Sequence, residues 1–440
     1  MATGARFLGR GALYRRAERS LRTRSPMTED ASQRQSNGPA DASDFEIEAP
    51  DRTRPDEPIT VRILGAPPNE VINFEAAMED EDGIEWRSTA TFRATDEGIV
   101  DLAKHAPESG SYEGVRSMGW CWSMEAVDPD QLVTALMTPE PTEVRFEATA
   151  GDRSTERTIT RAIPEGVSRT EFGPEDLSGV VFEPAGSGPH PGVLVLHGSG
   201  GTLPTYSAAL LAAHGFVAVA LRYFGDDEVV PNDLKRIPLS YFDEAADRLR
   251  NRPDVTGERI GLVGHSRGAE VGLLLGAQRN WVGSMISYVG SGVIWDTPTG
   301  APAWVDDGEP VPAISGEEKP TLLEGQLDAA DEDQRQAATI PVEEIDGPVL
   351  LISGGKDPIW PARRTAQMEI DRLERADFEY AYDHLTYDDA GHFITPPYLP
   401  KSHHVFGGTP GGMAEADADV WPTTLEYLQQ GLSPKQKKQE

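Results

Sequence analysis

The sequence predicts two domains in series. The first is an antiparallel β-sandwich of immunoglobulin-like (Ig-like) type. The second is a doubly wound α/β domain with a mostly parallel sheet and helices on both faces. Three observations lead to this reading. The chain has 440 residues, more than a single domain usually holds. Residues 44–160 read as short alternating strands cut by Pro, Gly, Asp and Asn turns, with no amphipathic helix of useful length. From about 161 the pattern becomes near-continuous apolar strands separated by helices, as expected of a parallel sheet buried on both faces.

Taken in order, residues 1–26 carry seven Arg, no Lys and one acid (Glu18), a local charge of +6 that leaves −39 for the remainder. An Arg-rich, acid-poor start has the composition of an organellar transit peptide. The acidic stretch MTEDASQRQSNGPADAS that opens at Met27 instead suggests a haloarchaeal N-terminus. Residues 1–43 are therefore expected to be a disordered or over-extended leader, with Met1 and Met27 both open as the start. The sandwich follows, with strands at ITVRILG (59–65), VINFEAAM (71–78), WRSTATFRA (86–94) and EVRFEATA (143–150).

The second domain, 161–432, begins with the apolar strand GVLVLHG (192–198) and the helix SAALLAAHG (207–215). FVAVALRYFG (216–225) is the next buried strand, and LSYFDEAADRLRNRP (239–253) an amphipathic helix stopped by Pro253. RIGLVG (259–264) is a strand, AEVGLLLGAQ (269–278) a helix and GPVLLISGG (347–355) a further strand. Residues 296–346, rich in Pro, Gly and acids with few apolar anchors, read as an inserted cap or lid. Trp304 within it is expected to help shape a substrate pocket, and 433–440 is expected to be a flexible tail.

Composition narrows the function. Asp and Glu total 73 against 40 Lys and Arg, only 8 of them Lys, for a net charge of −33. Such a surface repels a nucleic-acid backbone, and no basic stripe offsets it. Mean hydropathy is −0.44 and no apolar run approaches the roughly 20 residues of a membrane helix. Neither nucleic acid nor membrane is an expected partner. Acids spread over the whole chain, with Lys depleted, suggest a protein suited to concentrated salt, where a Debye length of about 3 Å at 1 M screens the self-repulsion. One cysteine, Cys121, excludes an internal disulfide or a Cys-based zinc site and fits a reducing cytoplasm. Composition carries no signal for oligomeric state.

The chemistry is concentrated in RIGLVGHSRGAEVGLLLG (259–276). Ser266 lies in Gly264-His265-Ser266-Arg267-Gly268, between a buried strand and an apolar helix. This is the nucleophile elbow of an α/β hydrolase in the context it requires. The turn is so tight that side chains at 264 and 268 would collide. The serine needs a base, and the base an orienting acid, in the chain order Ser, Asp, His. Asp357 follows the strand GPVLLISGG at its carboxyl end, and His392 stands in DDAGHFITPP (388–397). Asp389 is a competing acid, but it shares the histidine's own loop. His197 and His265 are read as residues that shape backbone, and His403 and His404 as a solvated pair with no third metal ligand; no metal and no cofactor are expected. The oxyanion hole is assigned to the Arg267 N–H plus an amide of HGSGG (197–201), Ser199 or Gly200.

These segments resemble a known family. GLVGHSRGAEVGL, ALRYFGDD with PLSYFDEAADRL, GPVLLISGGKDPIWPA and AGHFITPPYLP are similar to the acyl-CoA thioesterase / bile acid-CoA:amino acid N-acyltransferase family. So are DEPITVRILGAPPNE, WRSTATFRATDEGIVDL and GSYEGVRSMGWCWSME in the N-terminal half, and the likeness runs from about 45 to 430. The resemblance implies an enzyme acting on a small-molecule acyl-CoA, with Ser266 as nucleophile, Asp357 as acid and His392 as base. It also implies hydrolysis, because the family's amino-acid-conjugating members carry Cys where this chain carries Ser266. Arg267 and Arg222 are candidates to offset the phosphates of CoA. His265 and Arg267 depart from the residues many members carry beside the nucleophile. The alternatives are transfer to an amine acceptor, a carboxylesterase or peptidase of the dienelactone-hydrolase type, and a non-catalytic binding module.

Overall fold

The computed structural model describes residues 44–128, 138–173, 175–225, 228–314, 323–401 and 406–433. The predicted leader (1–43), the pair His403 and His404 and most of the tail lie outside the described residues.

The N-terminal region forms two sheets around one hydrophobic core. Val71–Glu79 pairs antiparallel with Glu85–Arg93 and with Thr142–Ala150, which pairs in turn with Arg153–Arg161 in a seven-stranded sheet. Alternation sets the register. Trp86, Ser88, Ala90 and Phe92 point inward along one strand while their neighbours stay at least partly solvated. Phe74, Phe92, Phe146 and Trp120 fill the interior, Trp120 meeting Phe146 edge-on with ring centroids 4.9 Å apart. The segment expected as a strand over 59–65 pairs only at Arg62–Leu64, in a second sheet of three strands with Glu46–Glu48 and Val100–Asp101. Ile59 and Val61 are buried in the same core without joining a ladder.

The C-terminal region is built on an eight-stranded sheet: β1 (Ser168–Glu171), β2 (Ser178–Glu183), β3 (His190–Leu196), β4 (Val217–Arg222), β5 (Val255–His265), β6 (Val282–Tyr288), β7 (Val349–Gly354) and β8 (Tyr382–Tyr387). Their order is β1-β2-β4-β3-β5-β6-β7-β8, parallel from β4 onward and antiparallel for β1 and β2. Among the described residues it is flanked by α1 (Thr205–Ala213), α2 (Leu239–Arg250), α3 (Arg267–Gln278), α4 (Ala362–Arg375) and α5 (Pro410–Leu432). Two separate hydrophobic clusters, one led by Phe242, Leu262 and Leu273 and the other by Leu210, Ile286 and Leu428, cover the central strands. This is the α/β-hydrolase architecture. The periodicity reading leaves β1, β2, β6, β8, α4 and α5 unassigned. In β6 the buried Ser284 and Ser287 interrupt the apolar run, and α5 carries Pro422 within it.

The segment 296–346 departs from the expectation of few apolar anchors. Trp304, Val305, Ile314, Ile340, Val342 and Ile345 are all buried. Trp304–Asp306 pairs in parallel with Ile237–Pro238, just before α2. Trp304 is buried in the core beside Tyr223 and Phe242.

Candidate active site

The glycines around Ser266 explain the local geometry. A Cβ at Gly264 would come within 2.3 Å of the Gly268 carbonyl oxygen, and one at Gly268 within 2.4 Å of the Leu196 oxygen. The collision is thus with backbone rather than between the two side chains, and Gly268 is what lets α3 start against the end of β3. Ser266 sits at φ 55°, ψ −117°, a conformation few non-glycine residues hold. Its N–H donates to the Tyr288 carbonyl at 2.9 Å, and its own carbonyl accepts from Ala269 and Glu270 as α3 begins.

The loops after β7 and β8 meet this elbow. His392 Nε2 lies 3.0 Å from Ser266 Oγ, and His392 Nδ1 lies 2.7 Å from Asp357 Oδ2. A carboxylate oxygen only accepts, so Nδ1 carries the proton and Nε2 faces the serine hydroxyl as acceptor. Asp357 is itself oriented, its Oδ1 accepting from the Ile359 and Trp360 N–H groups at 2.8 and 3.0 Å. The His392 and Asp357 side chains are 5% and 2% exposed, so the relay is shielded from bulk water. Asp389 is exposed and paired with Lys356, away from the imidazole.

Of the proposed oxyanion donors, Arg267 is the first residue of α3, where its N–H has no partner within the helix. Ser199 and Gly200 are exposed on the loop after β3. Gly198, which the sequence did not single out, packs closest. A Cβ there would lie 3.2 Å from Ser266 Cβ. His197 stacks on Tyr223 with centroids 4.1 Å apart, and burial pushes its imidazole down to about 4. His265 packs edge-on against His392 at 5.6 Å, and burial holds it down at about 3, a neutral neighbour of the relay.

The Arg267 side chain is not available to a CoA phosphate. It is buried, and its guanidinium donates to Glu270 and to the carbonyls of Trp295 and Asp296 while stacking over Trp360. Glu270 also accepts from Trp304 Nε1 at 2.7 Å and from the Trp295 N–H at 3.2 Å. Burial pushes the Glu270 carboxyl up, against the pull of the guanidinium. The sequence signal for this residue was present but unused: one acid in the otherwise apolar run AEVGLLLG, three residues after Arg267. Arg222 lies against the HGSGG loop, donating to the Gly201 carbonyl. A groove of about 1330 Å³ runs between α4 and β8 and reaches Asp357 and Trp360, but neither Ser266 nor His392 lines it. Among the described residues no helix is long and apolar enough to cross a membrane.

Comparison with known proteins gives a consistent result. Residues 237–434 match the family described as BAAT / Acyl-CoA thioester hydrolase C terminal, and residues 56–172 match Acyl-CoA thioester hydrolase/BAAT N-terminal region. Acyl-coenzyme A thioesterase 1 of Rattus norvegicus is 30% identical over 86% of this chain and 94% of its own length. Peroxisomal succinyl-coenzyme A thioesterase of Mus musculus is 29% identical over 88% and 96% respectively. Among solved structures, an acylaminoacyl peptidase aligns over 86% of this chain and 59% of its own at 14% identity and a TM-score of 0.44.

Proposed function

The chain belongs to the acyl-CoA thioester hydrolase/BAAT family, and from that premise we propose a serine thioesterase that hydrolyses acyl-CoA to a free carboxylic acid and CoA, with Ser266 as nucleophile, His392 as base and Asp357 as the acid that orients it. The observation that carries the assignment is the continuous line of hydrogen bonds from Asp357 through His392 to Ser266 Oγ, at 2.7 and 3.0 Å.

In this reading His392 Nε2 takes the hydroxyl proton as Oγ attacks the thioester carbonyl. The developing oxyanion is held by the Arg267 N–H and an amide of the loop 197–201, with Ser199 or Gly200 the donors proposed. The imidazolium, its ring held by Asp357, assists departure of the thiol. Thiolate is already a fair leaving group, so acylation asks less of the acid than amide cleavage would. Water activated by the same imidazole then releases the acid. Serine at the nucleophile position supports water over an amine as acceptor.

The N-terminal sheets are read as an Ig-like β-sandwich domain over 44–160, and the catalytic domain as 161–432 with 296–346 bordering the acyl site. A reducing, salt-rich cytoplasm is the proposed setting, supported by the lone buried Cys121 and the acidic composition.

The test is thiol release from a panel of acyl-CoAs in molar KCl, wild type beside Ser266→Ala, with and without glycine or taurine. The expected result is release that vanishes in the variant and ignores the amines. Release that depends on an amine would make the chain an acyltransferase. Cleavage of aryl esters without any acyl-CoA turnover would leave an ester hydrolase.

A further inference from the structure

His392 begins a stretch, His392–Lys401, that contains neither helix nor strand. Without a ladder, the position of such a loop is set by what grips it. At its catalytic end the His392 N–H donates to the Phe406 carbonyl at 2.7 Å. In the middle, Thr395 N–H donates to Asp417 Oδ1 of α5 at 2.9 Å. Lys401 Nζ closes that contact, donating to Thr395 Oγ1 at 2.7 Å and pairing with Asp417, with both side chains almost wholly buried. The far end is held differently, by the N-terminal region. Arg161 Nη1 donates to the Tyr398 carbonyl at 2.8 Å, and the Cys121 thiol donates to the same oxygen at 2.9 Å. The Lys401 N–H donates to the Trp122 carbonyl at 3.1 Å.

Two features set Arg161 apart from an ordinary interface contact. It is buried and stands at the end of the strand Arg153–Arg161, so its base is a rigid sheet. Its other Nη donates to the Pro55 carbonyl, so one guanidinium joins two segments of the N-terminal region to the histidine loop. The residue it grips is the strained one: Tyr398 has φ +63°, a conformation that bulky side chains seldom adopt and that persists only where the surroundings hold it.

We propose that Arg161 is a positioning residue for the reaction: by clamping the Tyr398 carbonyl it fixes the loop that presents His392 to Ser266, which makes the N-terminal region part of the catalytic apparatus. The inference rests on His392 being the base. A displacement of about 1 Å at such a base can cost on the order of a hundredfold in rate. Arginine suits this role better than lysine, whose ammonium, a point donor on a flexible stem, reaches the Tyr398 and Pro55 carbonyls less well together.

The test uses the full chain with Arg161→Ala, Arg161→Lys, Cys121→Ala and His392→Ala. Three quantities are read below each variant's melting temperature: kcat and KM for an acyl-CoA, and the rate of Ser266 labelling by a fluorophosphonate. Labelling reports activation of the nucleophile without any need for CoA binding. For Arg161→Ala the expected result is a fall of about ten- to hundredfold in kcat and in labelling rate, with KM changed less than about threefold. Arg161→Lys should recover part of both. If Arg161→Ala does not fold, Arg161→Lys and Cys121→Ala carry the test, each expected to slow labelling several-fold. Folded variants with reduced melting temperature but wild-type kcat and labelling would overturn the proposal and leave Arg161 a purely structural contact. Full activity in His392→Ala would instead overturn the assignment of the base itself.

Discussion

The Arg267 guanidinium and the Glu270 carboxylate lie 3.0 Å apart, one turn into the helix that begins at the nucleophile, with side chains 5% and 0% exposed. The pair ties the elbow to the chain after β6, through the Trp295 and Asp296 carbonyls, and to Trp304. Glu270→Ala leaves a buried guanidinium without its counter-charge and two N–H donors without an acceptor. The expected loss is about 3–5 kcal/mol of stability. Glu270→Gln keeps an acceptor and should cost less. Urea unfolding of the three proteins at one pH and salt checks the order.

Ser266, His392 and Asp357 should behave as one unit. Ser266→Ala is expected to lower kcat by about 10⁴-fold or more, and Asp357→Asn by about 10⁴-fold through loss of the correct imidazole tautomer. The double variant should be scarcely slower than Ser266→Ala alone. Additive losses in single-turnover kinetics would show that the residues do not share a step.

Gly264→Ala tests the elbow sterically. Its Cβ would meet the Gly268 carbonyl oxygen at 2.3 Å and the Ala269 Cα at 2.5 Å, backbone atoms that cannot rotate away. A destabilisation of about 3 kcal/mol or more is expected, with fluorophosphonate labelling abolished. A folded, reactive variant would mean that the turn can open.

Glu369 gives a pH prediction. It is buried on α4, its Oε2 has no hydrogen-bond partner among the described residues, and burial pushes its carboxyl up to about 8. The folded chain therefore keeps a proton that the unfolded chain releases above its ordinary carboxyl range. This contribution to stability is fully present below about pH 4.5, declines as pH rises toward 8 and is flat beyond. Glu369→Gln should accordingly be stabilising at pH 8, by an amount on the order of a few kcal/mol, and near neutral at pH 5. Melting temperatures of both proteins across that range would reveal it, and an equal effect at both ends would contradict it.

Salt should act in the direction the net charge of −33 dictates. Raising KCl from about 0.1 to 2 M shortens the Debye length from about 10 Å to under about 3 Å and screens carboxylate repulsion on the surface. A rise of about 10 °C in melting temperature is expected. The buried pairs Arg267–Glu270 and Lys401–Asp417 are shielded from the ions and should contribute nothing to that slope. A melting temperature that is constant or falls with salt would refute the halophilic reading.

What the sequence determined by itself is what depends on neighbours along the chain. The period-two alternation of 71–78, 86–94 and 143–150 specified strands because each buries one face. The apolar runs at 192–198 and 216–225 specified parallel strands because both faces are covered. Ser266 stands out as a candidate because the glycines its turn needs are within two residues of it, and Asp357 because it directly follows an apolar strand. Only the tertiary structure decided the rest, since those contacts join residues far apart in sequence. Arg267 reads in the sequence as a candidate partner for CoA phosphates, whereas in the fold Glu270, Trp295 and Asp296 close around its side chain. The indole N–H of Trp304 meets Glu270 across 34 positions. Arg161 meets Tyr398 across 237 positions. No periodicity or spacing encodes such meetings. They are set by how the two regions pack, where desolvation forces each buried donor to find an acceptor wherever the fold supplies one.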